Sequence, residues 1–186
     1  MIMNKIVRLL IASTLLLTAV SANAGLIKSG TFGGSVYDVY KYERGVDRSW
    51  GAADIFALGQ GGYLATLTTA AEDSYVTSLV QAAGLHEVWA GGFQEPSETS
   101  KTDGWKWVNG EGAFDYTNWS PGEPNDYYGT GSEQHLGINW RGAWNDEGRL
   151  RNVKGFVVES AVPEPSVIAL FGLGLLGLGF VRRRKA

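Results

Sequence analysis

Two apolar blocks, Ile6 to Val20 and Val167 to Val181, bracket this chain of 186 residues, so only what lies between them has to build a packed domain. Six of the 16 Lys and Arg, and Glu164 of the 19 Asp and Glu, belong to these blocks and their flanks. The middle is left with a net charge near −8. Such a balance disfavours a surface that grips a nucleic-acid backbone and suits one that holds a cation.

The first block has the parts of an export signal. Lys5 and Arg8 give a basic start, Leu9 to Val20 is apolar, and Ala22-Asn23-Ala24 puts small residues where a signal peptidase cuts, after Ala24. About 12 apolar residues of helix rise only about 18 Å, too short for a hydrocarbon core of about 30 Å. Export would normally bring disulfides, but the chain has no cysteine, so packing and metal are left to hold the domain.

The second block follows Ala161-Val162-Pro163-Glu164-Pro165-Ser166 and ends in Arg182-Arg183-Arg184-Lys185. The prolines keep a linker extended, the apolar run enters a bilayer, and the basic end stays on the cytoplasmic side, with the domain outside. About 22 Å of helix weakened by glycines is marginal for a lasting span. Gly172, Gly174 and Gly177 spell a dinucleotide fingerprint, but no strand precedes them and no ribose-binding acid follows. Val-Pro-Glu-Pro, short apolar helix and Arg-rich end together resemble the bacterial PEP-CTERM sorting signal. The resemblance implies recognition by an exosortase-type enzyme, transient inner-membrane anchoring and release to the cell surface or extracellular matrix of a Gram-negative-type bacterium.

The expected division is therefore a signal peptide over 1–24, one domain over 25–160, and a sorting tail over 161–186 with its apolar segment at 167–181. The domain opens with a strand over Ser35 to Lys41. Helices follow over Arg48 to Leu58 and from the capping box Thr69-Ala70-Ala71-Glu72 to Gly84, where Tyr75, Val76, Leu79, Val80 and Ala83 share a stripe. Beyond Gly84 only short runs return: Glu87 to Gly91, Gln134 to Trp140 and Gly155 to Glu159. The class is α+β, two helices and then strands separated by long loops. All seven tryptophans fall in the domain, five of them between Trp105 and Trp144, and they read as core rings in place of disulfides or as a platform for sugars.

Chemistry narrows next. With two histidines, His86 and His135, no cysteine and no G-x-S-x-G, nucleophilic catalysis has no seat, and the chain is read as a binder, not an enzyme. Glu123, Asn125, Glu133, Asn145 and Asp146 supply three carboxylates and two amides on Gly- and Pro-rich loops. Hard oxygens in that number suit Ca2+ and do not suit zinc or copper. Each motif alone is also ordinary turn chemistry. Asn118-Trp119-Ser120 matches a glycosylation sequon, a signal seldom read in the bacterial setting the tail implies.

Gly61-Gly62-Tyr63-Leu64-Ala65-Thr66-Leu67, Val88-Trp89-Ala90-Gly91-Gly92, Gly104-Trp105-Lys106-Trp107-Val108-Asn109-Gly110, Tyr116-Thr117-Asn118-Trp119, Gly122-Glu123-Pro124-Asn125 and Trp144-Asn145-Asp146 match, in order, the C-type lectin-like domains. The resemblance spans Tyr37 to Glu159. It implies the C-type lectin-like fold, two helices plus small antiparallel sheets with long loops, here without disulfides. It also implies Ca2+ on Glu123, Asn125, Glu133, Asn145 and Asp146, and a carbohydrate or exopolysaccharide partner held by Glu123, Asn125, Glu133 and Asn145. The Glu-Pro-Asn order resembles the subclass that takes vicinal equatorial hydroxyls of mannose- or glucose-like sugars, with a cis Glu123-Pro124 bond. The alternative is a calcium-independent adhesive or matrix protein on the same fold. Three departures stand out. His135, Arg149 and Val158 lie at or near expected cysteines, Gln134 replaces an acid of an auxiliary calcium site, and a longer segment from Asn125 to Glu133 makes Asp126 a rival ligand.

Overall fold

The computed structural model describes residues 24–162. The export signal, except Ala24, and the apolar tail with its glycine pattern lie outside them. No helix among the described residues is long and apolar enough to cross a membrane.

Ten elements follow one another. They are β1 (Ala24–Phe32), β2 (Ser35–Tyr42), α1 (Trp50–Gly59), β3 (Tyr63–Leu64), α2 (Ala70–Ala82), β4 (Val88–Phe93), β5 (Lys106–Trp107), β6 (His135–Trp140), β7 (Ala143–Glu147) and β8 (Gly155–Ala161). The strands join in one sheet of order β1-β2-β8-β4-β6-β7, with β3 added on β8 and β5 on β4. All pairings are antiparallel except β4 with β8, which brings the end of the chain back into the middle of the sheet. The α+β reading holds, and the sheets it expected are continuous through that parallel pair.

Each helix begins where the sequence supplies a cap. Ser49 accepts from the Ala52 N–H at the start of α1, and Thr69 accepts from the Glu72 N–H at the start of α2. The second cap departs from the reciprocal box: the Glu72 carboxylate takes the N–H and hydroxyl of Thr68, one residue further back. Strand β1 is absent from the sequence expectation because Gly25 to Phe32 lacks alternation. Strand β7 is absent because Asn145, Asp146 and Glu147 are poor strand formers.

The sheet is buried on both faces. Along β2, Tyr37 and Val39 point to one side and Tyr40 and Tyr42 to the other, as the two-residue period requires. The first side packs on Val76, Leu79 and Val80 of α2 and on Trp105, Trp107 and Trp144; the second packs on Ala52, Ala53 and Ala57 of α1 and on Trp89 and Phe156. Trp89, Trp105, Trp107 and Trp144 are buried, which makes them core rings. Their indole N–H groups also fasten loops, Trp89 to the Arg48 carbonyl at 2.8 Å and Trp105 to the Lys101 carbonyl at 3.0 Å. His135, at an expected cysteine position, stacks on Trp50 at 4.9 Å and meets Trp89 edge-on at 6.1 Å.

Asp73 of α2 is buried and takes three donors: the Trp144 indole at 2.8 Å, the Tyr116 hydroxyl at 3.0 Å and the Asn118 amide at 2.7 Å. The amide of the sequon asparagine is thus engaged inside the fold. Asp73→Ala leaves the buried Trp144 indole and the half-buried Tyr116 and Asn118 donors unpaired and is expected to lower stability by about 3 kcal/mol, read by urea unfolding. Burial holds the His135 imidazole down, to about 4. A histidine held below its unfolded value, about 6.5, lends stability above that value and loses it as pH falls toward 4. His135→Phe should therefore flatten part of the decline in thermal midpoint between pH 6.5 and 4; an identical slope in both proteins would refute this.

Candidate functional site

The chain between β5 and β8 carries the site. Strands β6 and β7 form a hairpin whose two-residue turn, Arg141-Gly142, has positive φ at both positions, 54° and 84°. That is the turn geometry matching the twist of paired strands. Residues 118–120 lie along β7 through the Trp144 N–H to the Asn118 carbonyl and the Ser120 N–H to the Trp144 carbonyl. This places the following Gly122-Glu123-Pro124-Asn125 stretch over the end of the hairpin. The Glu123-Pro124 bond is cis.

Asp146 fixes that stretch. Its carboxylate accepts the Asn125 N–H at 2.9 and 3.0 Å and the Asp126 N–H at 2.7 Å. Asp126, the rival ligand, has both oxygens occupied by the N–H groups of Gly131 and Glu133, at 2.9 and 3.1 Å. It staples the loop. Glu133 gives one oxygen to the Tyr127 N–H at 2.8 Å. Gly148 lies so close to the Ser132 carbonyl that a Cβ there would collide with it, and the loop is packed against β7 for that reason.

Four of the five expected ligands, Glu123, Asn125, Glu133 and Asn145, line one open pocket of about 340 Å³, whereas Asp146 is not on its wall and reaches it through the Asn125 N–H. The pocket is completed by Tyr127, Tyr128, Trp140, Arg141, Glu147 and Asn152, none of which the sequence reading singled out. A Gly-rich loop rich in tyrosine gives only a turn signal, and Glu147 resembles any strand-end acid. Tyr127 is 74% exposed. Trp140 is the only tryptophan on the pocket wall, half-buried. Gln134 is turned away and gives its amide to the Glu95 carbonyl at 2.9 Å.

Two polar atoms of the site are buried without a partner, Glu123 Oε2 and Asn125 Oδ1. The Asn145 amide nitrogen is committed inward, donating to Glu87 Oε1 at 3.0 Å, which leaves its oxygen for the pocket. Glu87 is wholly buried and fits only because residue 137 is glycine; a Cβ there would come within 2.8 Å of Glu87 Oε1. These oxygens fit a hard cation that takes carboxylate and amide ligands. Among the described residues, no three Asp, Glu, His or Cys side chains already converge as a chelating group. The fit therefore rests on Glu123 beside Asp146 with amide oxygens completing the set.

Burial, then the neighbouring Asp146 charge, holds Glu123 above the ordinary carboxylate range, while Arg141 opposes the rise. Burial also pushes Glu133 up to about 7, opposed by the Tyr127 N–H, and Glu87 up to about 7, opposed by the Asn145 amide. A carboxyl raised in the fold lends full stability below its unfolded value near 4.5 and withdraws it as pH climbs through 7. Without divalent cations the thermal midpoint should therefore fall by about 5 °C between pH 6.5 and 8, where His135 is already neutral, and Glu133→Gln should shrink that fall. Scanning fluorimetry in chelator checks it.

The family model for the PEP-CTERM protein-sorting motif matches residues 161–185. Ladderlectin of Oncorhynchus mykiss is 35% identical over 103 residues, 53% of this chain and 50% of that protein. The chain spans about half the length of the curated relatives it matches. Among solved structures, the cow C-type carbohydrate-recognition domain of CD23, determined in the presence of a GlcNAc2Man3 oligosaccharide, aligns with a TM-score of 0.59 at 23% identity, covering 74% of this chain and 95% of that one. The herring type II antifreeze protein aligns with a TM-score of 0.58 at 19% identity, covering 73% and 98%. These likenesses show a domain of C-type lectin-like fold followed by a C-terminal segment that matches the PEP-CTERM protein-sorting motif.

Proposed function

We propose that this protein is exported and surface-sorted and binds carbohydrate through a calcium ion held by Glu123, Asn125, Glu133, Asn145 and Asp146. The observation that carries the reading is the pair of buried, unpartnered oxygens, Glu123 Oε2 and Asn125 Oδ1, on a pocket whose other wall offers the Asn145 oxygen. A divalent cation supplies the missing partner and offsets the repulsion between Glu123 and Asp146. When bound, calcium supplies Lewis acidity toward two neighbouring hydroxyls of a sugar. The residues themselves do the orienting: carboxylates accept the hydroxyl protons and the Asn125 amide nitrogen donates to a hydroxyl oxygen. The Glu123-Pro124-Asn125 order supports mannose- or glucose-like vicinal equatorial diols, and the exposed ring of Tyr127 offers an apolar face at the mouth. The role is binding, with no reacting group assigned. The tail would be read by an exosortase-type enzyme, with the membrane as a transient anchor. The domain would occupy residues 25–160, after a signal peptide that ends at Ala24.

A second reading, an adhesive or matrix protein that works without calcium, draws on the absence, among the described residues, of a converged acid triad and on the fold shared with an antifreeze protein. Thermal unfolding separates the two. Calcium at a hundred times its dissociation constant should add about 2.7 kcal/mol, a rise of about 8 °C, and the rise should vanish in Glu123→Gln with Asp146→Asn. Immobilised mannan should then retain the protein only while calcium is present. No shift on adding the ion rejects the calcium site.

A further inference from the structure

Ten basic residues lie in the acidic domain, and four of them, Arg141, Arg149, Arg151 and Lys154, crowd into one segment at the site. Two have side chains seated on aromatic rings of the pocket wall. The Arg149 guanidinium lies 3.6 Å from the centroid of Tyr128, and that of Arg141 lies 5.2 Å from the centroid of Trp140. Both residues are exposed. Neither is in an ion pair: among the described residues the one salt bridge is Lys106 with Glu95, although Glu123, Glu133 and Glu147 lie on the same pocket. A stacked guanidinium keeps its in-plane N–H donors free and in a fixed fork, an arrangement that suits a carboxylate better than a hydroxyl.

The backbone at Arg141 points the same way. It occupies the first central position of the β6–β7 turn with φ at 54°, a conformation that Asn, Asp or Gly takes with less strain. Nothing in the hairpin needs an arginine there, so its value lies in what the side chain presents. Arg149 is positioned from below: its N–H and that of Gly148 are both held by Glu147 Oε1. Its guanidinium covers one face of Tyr128, so the mouth offers a cation at that ring.

We infer that the site selects an anionic sugar, a uronic acid whose ring hydroxyls enter the pocket while its carboxylate is taken at the rim by Arg141 and Arg149. The inference rests on the carbohydrate reading above and adds the charge of the ligand. It accounts for cations at the mouth of a pocket whose floor is acidic: the floor serves the diol and the rim serves the carboxylate.

Methyl glucuronide and methyl glucoside share the same ring hydroxyls and differ in the carboxylate, which makes them the probes. Each is used to displace the full domain from immobilised mannan at fixed calcium. The glucuronide should compete about fivefold better, the order expected for charge-assisted contacts at an exposed rim, and the advantage should shrink with added salt. Arg141→Asn, which suits the turn, should keep or raise the thermal midpoint while losing most of that advantage. Arg149→Gln should lose part of it, and in both variants the loss should be larger for the glucuronide than for the glucoside. Equal competition by the two sugars in the parent protein, or equal loss of both in the variants, overturns the inference and leaves the carbohydrate reading standing. Failure of mannan to retain the protein at all overturns both.

Discussion

A buried carboxylate with three donors is the fixed point of this molecule. Asp73 lies in the first turn of α2, where the helix dipole favours negative charge, and its oxygens take the indole of Trp144, the hydroxyl of Tyr116 and the amide of Asn118. Trp144 begins the Trp-Asn-Asp run of β7, and Asn118 and Ser120 clasp the same strand from the other side. The helix thereby sets where β7 lies, and β7 sets where Asn145 and Asp146 point. Aromatic contacts extend the arrangement: Trp144 meets Trp107, Phe114, Tyr116 and Trp119 with their centroids 5.6 to 6.0 Å away. Such edge-on rings are rigid and large enough to hold loops that no disulfide crosses.

Apolar periodicity made the helices and the inner strands legible, because their residues answer to one dominant force. Ser49 and Thr69 announced their caps in the same local language. Asp73 and Glu87 did not, since a polar letter in a helix or before a strand reads as exposed, and burial of a charge is decided by partners distant in the chain. Glu159 is a further case: it is buried on β8 and takes the Thr66 N–H at 3.0 Å. The site divides along the same line. The motif residues Glu123, Asn125, Glu133 and Asn145 meet on one pocket. Asp126 falls to a loop-fastening role, because only the folded loop brings the Gly131 and Glu133 N–H groups to its oxygens. Tyr127, Tyr128 and Arg141 come to the pocket through loop and turn geometry that no periodicity encodes.

The missing cysteines show how packing substitutes for covalent closure. His135 at one such position fills the space between two tryptophans and stays neutral, and Val158 at another is buried beside α1. Arg149 stands at or near a third, and with its cysteine absent the side chain is free to stack on Tyr128. A crosslink would have tied that stretch to its neighbour; here the Glu147 carboxylate does so through the Gly148 and Arg149 N–H groups and the Asn152 amide.

The geometry of the site is therefore set before any ligand arrives, while its charge is not. The loop from Asn125 to Glu133 is closed by its own hydrogen bonds, so binding does not have to order it from a disordered state. Burial first, and neighbouring acids after it, hold Glu123, Glu133 and Glu87 above their ordinary range, so their charged forms are poorly solvated in the fold. The floor and the rim are coupled through charge as well as shape, since the Arg141 guanidinium at the turn opposes the rise of the Glu123 carboxyl below it.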